Sequence, residues 1–262
     1  VTTAAEAVDP VTADPVTADP VTADPVTASA PAPGTPFDVA ETDRLLTTTR
    51  SVRRRLDLDR PVPREVVEQA LEVAVQAPTA NDQQNWRWLV VTEQSVKDEL
   101  AAVVRHAWNF HQREVLTRSG RRRNNAQNQR NNASAATLVD ILAQVPVLVI
   151  PCVLGRPPDI GAIDEEYVRT AAGRRNVGTW QEDVRLGAMR ASNFYGSIFP
   201  AVWSFQLALR SRGLGSTITG LHLPFEKHVG ALLGIPSGVT QVCMVPVAYT
   251  VGTDFRPASR HP

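Results

Sequence analysis

Residues 197–217 read "SIFPAVWSFQLALRSRGLGST", and this stretch decides what kind of fold the remaining residues build. From Ile198 to Leu209 only Ser204 and Gln206 interrupt an apolar run. A helix that is apolar all round must be covered on every side, in a core or at a subunit interface. Gly213 and Gly215 stop that helix, and "STITGLHL" (216–223) follows as a strand-like run. A buried helix feeding a strand through a short glycine link calls for a sheet with helices packed on it.

The flanking text alternates in the same way. Downstream, "PFEKHVGALLGIP" (224–236) reads as a short helix entered at proline and closed by Gly234, and "TQVCMVPVAYTVG" (240–252) as the last strand. Upstream, "AATLVDILAQVP" (135–146) gives a helix and "VPVLVIPCVLG" (145–155) a buried strand. "SVKD" (95–98) has capping-box spacing and opens a helix to about Leu116, behind a strand near residues 87–92. Val66, Val67, Ala70, Leu71, Ala74 and Ala77 recur at helical spacing until Pro78 stops them. Residues 117–136, rich in arginine and asparagine, read as a long exposed loop, and 156–193 as irregular apart from one short helix. The alternation implies an α/β or α+β fold in one domain over 39–262, with order beginning near Asp43. Ahead of it, residues 9–28 repeat the pentad DPVTA four times. Proline in every unit and no apolar face make residues 1–38 a disordered or extended tail.

Bulk composition excludes several function classes. Lys+Arg and Asp+Glu both number 27, so the net charge is zero and a general nucleic-acid binder is not expected. No run of eighteen apolar residues offers a membrane span, and no basic stretch followed by an apolar one offers a secretory signal. Cys152 and Cys243 sit in apolar runs, as small hydrophobes rather than a disulfide framework, which fits a cytoplasmic protein. His106 and His111 lie five apart without a third ligand, and His222 and His228 have no partner pattern, so no metal site is expected.

Chemistry concentrates in "TTTRSVRRRLDLDRPVP" (47–63), with five arginines between positions 50 and 60. Arg50 and Arg53 beside the Ser51 hydroxyl suit phosphate oxygens through charge-assisted bonds. Arg54, Arg55 and Arg60 stand close to Asp57 and Asp59 and are expected to pair with them. A second basic pair, Arg256 and Arg260, flanks prolines near the C-terminal end. No Ser/His/Asp arrangement, phosphate loop or G-x-G-x-x-G after a strand is present, so a nicotinamide donor would not bind through a dinucleotide fold.

Taken in order, "TTRSVRRRLDLDRPVP", "APTANDQQNWRWLVV", "VPVLVIPCV", "SIFPAVWSFQLALRSRGLGSTITGLHLP" and "LLGIPSGVTQVCMVPVAYTVGTDFRPASR" resemble the FMN-dependent nitroreductase family over residues 43–262. "RLDLDRPV" and "GTDFRPA" resemble an actinobacterial branch of it. The resemblance implies a nitroreductase-like fold: a central mixed sheet flanked by helices, in an intertwined homodimer with two FMN sites at the interface. It implies that Arg50, Ser51 and Arg53 hold FMN chiefly through its phosphate, with Arg260 closing over the same phosphate. Pro78 and Thr79, with the loop through Asn81 to Gln84, would skirt the flavin ring, normally from the other subunit. Gly213 to Thr217, including Gly215, Ser216 and Thr217, would face the flavin's reactive edge with backbone donors. The family usually places asparagine where this chain has Asp82; an acid beside a reduced flavin would lower its potential, unless Asn81 takes the role. Trp86, Tyr195 and Phe199 are candidates for a substrate pocket. No protein side chain need act as the catalytic acid or base, because the cofactor carries the chemistry. NAD(P)H would be the electron donor, with Arg121, Arg122 and Arg123 offering charge to an NADPH phosphate. Nitroaromatics, quinones or similar small molecules would accept the electrons in a ping-pong cycle. Dehalogenation, flavin fragmentation, dehydrogenation and non-enzymatic flavin sequestration are the alternatives.

Overall fold

A computed structural model describes residues 36–118, 126–161 and 186–258. The tail over 1–35, Arg121, Arg122, Arg123 and Arg260 lie outside the described residues. The elements, in order, are α1 (Val39–Thr48), β1 (Leu56–Asp57), α2 (Arg64–Ala74), β2 (Trp86–Val91), α3 (Gln94–Arg118), α4 (Ala126–Ile141), β3 (Val147–Leu154), α5 (Leu186–Gly196), α6 (Phe199–Ser211), β4 (Leu214–Ser216), α7 (Glu226–Leu233), β5 (Val239–Gln241) and β6 (Val245–Thr250).

β3 organises the sheet. Its residues are buried from Val147 to Val153, and the period of two sends Val147, Val149 and Val153 into one core and Leu148, Ile150 and Cys152 into another. A strand covered on both faces has no polar alternation, which is why the sequence there is a continuous apolar run. On the first face α2 and α6 pack together, adding Val67, Ala70, Ala74, Ala201, Val202, Phe205 and Leu209. The second face is filled from α3, α4 and α7 by Leu100, Val104, Leu138 and Val229.

β3 pairs with β2, β5 and β6, and β6 with β1 and β4, every ladder antiparallel. The expected mixed sheet is therefore corrected: among the described residues parallel geometry is confined to the isolated bridges Ser51–Ser216 and Gly155–Val239. Val247 pairs with both Val147 and Ser216, and Tyr249 with both Asp57 and Leu214. A residue can pair on two sides only across opposite edges, so β4 runs along one edge of β6 while β3 and β1 share the other.

Local expectations also shift. α3 starts at Gln94, so Ser95 is inside the helix and its hydroxyl donates to Glu93 rather than capping. α1 begins at Val39, ahead of Asp43. Within 117–136, residues 126–136 are helical, part of α4, because its apolar half (Leu138, Val139) anchors a polar first half that has no stripe of its own. The strand expected over 216–223 ends at Ser216. The chain then bridges once, Thr219 to Met244, before a turn. The last strand is two, β5 and β6, since Val242 donates to Pro151 and Met244 to Thr219. Gly234 closes α7 as expected, left-handed at φ 66°.

Candidate functional site

The arginine segment sorts into engaged and free cations. Arg55 donates to the Val251 carbonyl at 2.9 Å, pairs with Asp254 at 2.5 Å and lies over the Phe255 ring, which Arg210 covers as well. Arg60 sits 3.5 Å from the Tyr249 ring centroid. Asp57 instead accepts the backbone N–H groups of Asp59 and Arg60, so the expected pairing of Arg55 and Arg60 with neighbouring acids is corrected. Contacts from the far end of the chain won because the β1–β6 ladder brings residues 249–255 alongside. Arg50, Arg53 and Arg54 make no ion pair or hydrogen bond among the described residues, and Arg53 is half-buried. Burial without a carboxylate pulls its pKa below the ordinary guanidinium value.

This segment is docked on β4 by its backbone. Val52 donates to the Ser216 carbonyl at 2.9 Å, and Ser51 bridges Ser216. Contact is so close that a Cβ added at Gly215 would stand 2.6 Å from Thr250 Cγ2 and 3.0 Å from Val52 Cβ. Gly215 is thus what lets Arg50–Arg53 lie against the sheet. Ser216 and Thr217 are interior: Ser216 accepts from Gln206 Nε2 at 3.1 Å, and Thr217 is fully buried. Beyond them His222 is also fully buried, its ring nitrogens without partners among the described residues, and burial pushes its pKa down to about 4 against the weaker pull of Glu226.

The loop after α2 is built differently. Asn81, Asp82 and Gln84 have φ of 52°, 51° and 45°, a left-handed backbone that non-glycine residues rarely adopt. A single 3-10 turn, Ala80–Asp82, contains two of them. Ala80 N–H donates to Ser197 Oγ at 2.9 Å, and that hydroxyl donates to the Asn193 carbonyl, so one serine between α5 and α6 pins the turn. Gln84 Nε2 donates to Asp82 Oδ1 at 2.7 Å. Pro78 is exposed, and the Thr79 hydroxyl is buried without a partner among the described residues. Ser197 escaped the sequence reading because its partner lies 117 positions away.

The structure therefore brings the expected residues together as two groups: Arg50, Ser51 and Arg53 with Gly215–Thr217, and Pro78–Gln84 with the α5–α6 junction. Tyr195 and Phe199 belong to that junction, rings 6.2 Å apart and near-parallel, Phe199 exposed and Tyr195 half-buried. Trp86 is a correction: it is buried within the α2–α6 core at the head of β2, so its ring is not offered to a substrate. Trp203 is 44 % exposed one turn after the exposed Phe199, so α6 has one uncovered flank. No group of three or more His, Cys, Asp or Glu among the described residues could hold a metal. Both thiols are buried, their pKa pushed up to about 12 chiefly by desolvation. No described helix is long and apolar enough to cross a membrane.

Comparison places this geometry among known folds. No curated protein matches the chain. Iodotyrosine deiodinase bound to FMN and 3-iodo-L-tyrosine superposes with a TM-score of 0.56 at 20 % identity, covering 83 % of this chain and 93 % of that one. A BluB-like flavoprotein from Clostridium difficile 630 gives 0.59 at 17 % identity, covering 84 % and 94 %. A nitroreductase-like family protein from Bacillus cereus gives 0.52 at 16 % identity, covering 87 % and 92 %. The fold is nitroreductase-like, and the family model described as "Nitroreductase family" matches residues 46–249, most of the chain. The chain belongs to the nitroreductase family.

Proposed function

We propose that this chain is an FMN-dependent NAD(P)H oxidoreductase that reduces nitroaromatic, quinone or similar small acceptors, as a homodimer of the actinobacterial-type branch. One observation carries the reading: a half-buried Arg53, with Arg50 and the exposed Ser51 beside it, is held by backbone against β4 without a carboxylate among the described residues. Cations fixed in place and left unneutralised are suited to a phosphate. The residues thus fit the phosphate end of FMN, and Arg260 would join them. Pro78, Thr79, Asn81 and Gln84 would come from the partner subunit, reached through the exposed flank of α6 around Phe199 and Trp203. When bound, FMN supplies hydride acceptance and donation between the nicotinamide and the acceptor. The chain's own residues anchor and orient: Arg50, Ser51 and Arg53 hold the phosphate, and the backbone of Gly215–Thr217 aligns the edge beside it.

The test is quenching of FMN fluorescence by the purified full chain, followed by anaerobic addition of NADPH or NADH. Tight binding and rapid bleaching are expected, with Arg53→Ala weakening FMN roughly 10–100-fold, the loss of one charged hydrogen-bonding group. Absence of FMN binding would refute the reading. A second reading, flavin sequestration without turnover, is favoured by the acidic Asp82 held on Gln84. Placed near the ring, that acid would disfavour reduced flavin, and a bound flavin that stays yellow under NADPH would select it.

A further inference from the structure

The loop over 80–85 has two sides. Asn81, Gln83 and Asn85 line a cavity of about 420 Å³ whose opposite wall includes Met189, Asn193 and Phe194 of α5. Asp82 and Gln84, bonded to each other, lie outside that wall. Asn81 lines this cavity, whereas Gln84, the other carboxamide candidate for the flavin, does not. Ser197, which pins Ala80, also lines the cavity.

We infer that this cavity is a binding site for a small neutral aromatic carboxamide, and that its occupancy tunes how the Asp82–Gln84 side of the loop receives flavin. The volume falls within the range of small-molecule pockets. Four carboxamides, from Asn81, Gln83, Asn85 and Asn193, line it, and each both donates and accepts. A ligand amide meets such a group reciprocally, whereas a carboxylate could only accept. Arg190, also in the wall, has interactions of its own, so a ligand charge is not required. Phe194 and Met189 supply the apolar and polarisable surface that takes a flat ring. Coupling follows from the backbone: with Ala80 held by Ser197 and left-handed φ at Asn81, Asp82 and Gln84, a ligand drawing on Asn81 moves its neighbours. The coupling rests on the flavin reading above; the cavity does not.

Benzamide is the probe, with toluene and benzoate as controls, in thermal unfolding of the flavin-free full chain. Benzamide at millimolar concentration should raise the Tm by a few degrees, both controls should raise it less, and Asn193→Leu should abolish the shift. That side chain is exposed, so the variant should melt as the parent does without ligand. No shift in the parent, or an equal shift in Asn193→Leu, overturns the site. FMN titrations with and without benzamide test the coupling: a several-fold change in FMN affinity that saturates supports it. An effect that grows without limit means competition for one site and overturns it. If FMN does not bind at all, the proposed function and the coupling fall together, while the Tm shift still decides the cavity.

Discussion

Two segments that would meet the flavin are stabilised in opposite ways. Arg50–Arg53 lies against β4 through a backbone hydrogen bond and a glycine contact, part of a sheet covered on both faces. Residues 79–84 stand outside the sheet, left-handed at Asn81, Asp82 and Gln84, and are held from α5–α6 by a single hydroxyl. The first segment is a rigid mount for charge, whose position follows from core packing. The second is a shaped loop whose conformation costs free energy and depends on a few polar bonds. If FMN binds as proposed, with its phosphate at the sheet and its ring at the strained loop, the cofactor anchor can be kept while reactivity varies.

The largest expected effect tests the rigid side. His222 is buried neutral beneath the continuation of β4, its pKa lowered from 6.5 to about 4 by desolvation, with the Glu226 charge opposing and Arg156 paired to that acid. A histidine whose folded pKa is depressed gives stability that is fully present above its unfolded value. That stability is lost as pH falls through the window from 6.5 towards 4. The loss should approach about 3 kcal/mol at the acid end. Urea unfolding at pH 7 and pH 4.5 should show a steep decline for the parent and a shallower one for His222→Leu. Equal declines would mean that His222 is not the titrating group.

Next comes the contact that seats the arginine segment. Gly215→Ala places a methyl against Thr250 and Val52, and neither short branched side chain can swing aside. Overpacking of this kind costs about 2 kcal/mol. The strain acts through Val52, so FMN affinity should fall together with stability. Denaturant midpoints and FMN titrations on the same variant check both, and an unchanged midpoint would show that β4 gives way easily.

Much of the rigid side was legible in sequence, and little of the soft side. The apolar run at 147–153 announced a buried strand, because burial leaves its mark on every residue, whereas the run at 198–209 announced a helix covered on every side and the described residues leave its Phe199–Trp203 flank open. Gly234 signalled its own left-handed cap. Composition could not sort the arginines: Arg55 found Asp254 and Phe255, about 200 positions away, and only the β1–β6 ladder decides that. The polar half of α4 carries no apolar stripe, so its helix was hidden within a low-complexity stretch. Nor could Ser197 be tied to Ala80, since a serine's partner is a matter of tertiary placement. The left-handed turn at Asn81–Gln84 had a faint signal, an Asn-Asp pair after proline, in the residue types that best tolerate that conformation.

The soft side predicts smaller changes. Ser197→Ala removes the acceptor of the Ala80 N–H and should cost about 1 kcal/mol. Amide exchange at Ala80 should then speed by about fivefold, whereas exchange at Val52, bonded to Ser216, should not change. Equal acceleration at both amides would mean the two segments are one cooperative unit, and the contrast between them would fail.

A pair of variants at one position separates strain from side-chain chemistry within the loop. Asn81 holds φ 52° and ψ 30°, where a β-branched residue is opposed by its own backbone and glycine is at ease. Asn81→Gly relieves the steric cost but frees the unfolded chain, leaving a net gain of about 0.5 kcal/mol. Asn81→Val should lose about 1–2 kcal/mol by the same geometry. Opposite signs in chemical denaturation would show that backbone conformation, rather than the carboxamide, sets the stability of the turn. The carboxamide is then left to what it faces, the cavity against α5, and Asn81→Gly would weaken benzamide binding while stabilising the protein. Losses of similar size from both variants would mean instead that Asn81 contributes through its side chain, and that the loop is less strained than its φ values indicate.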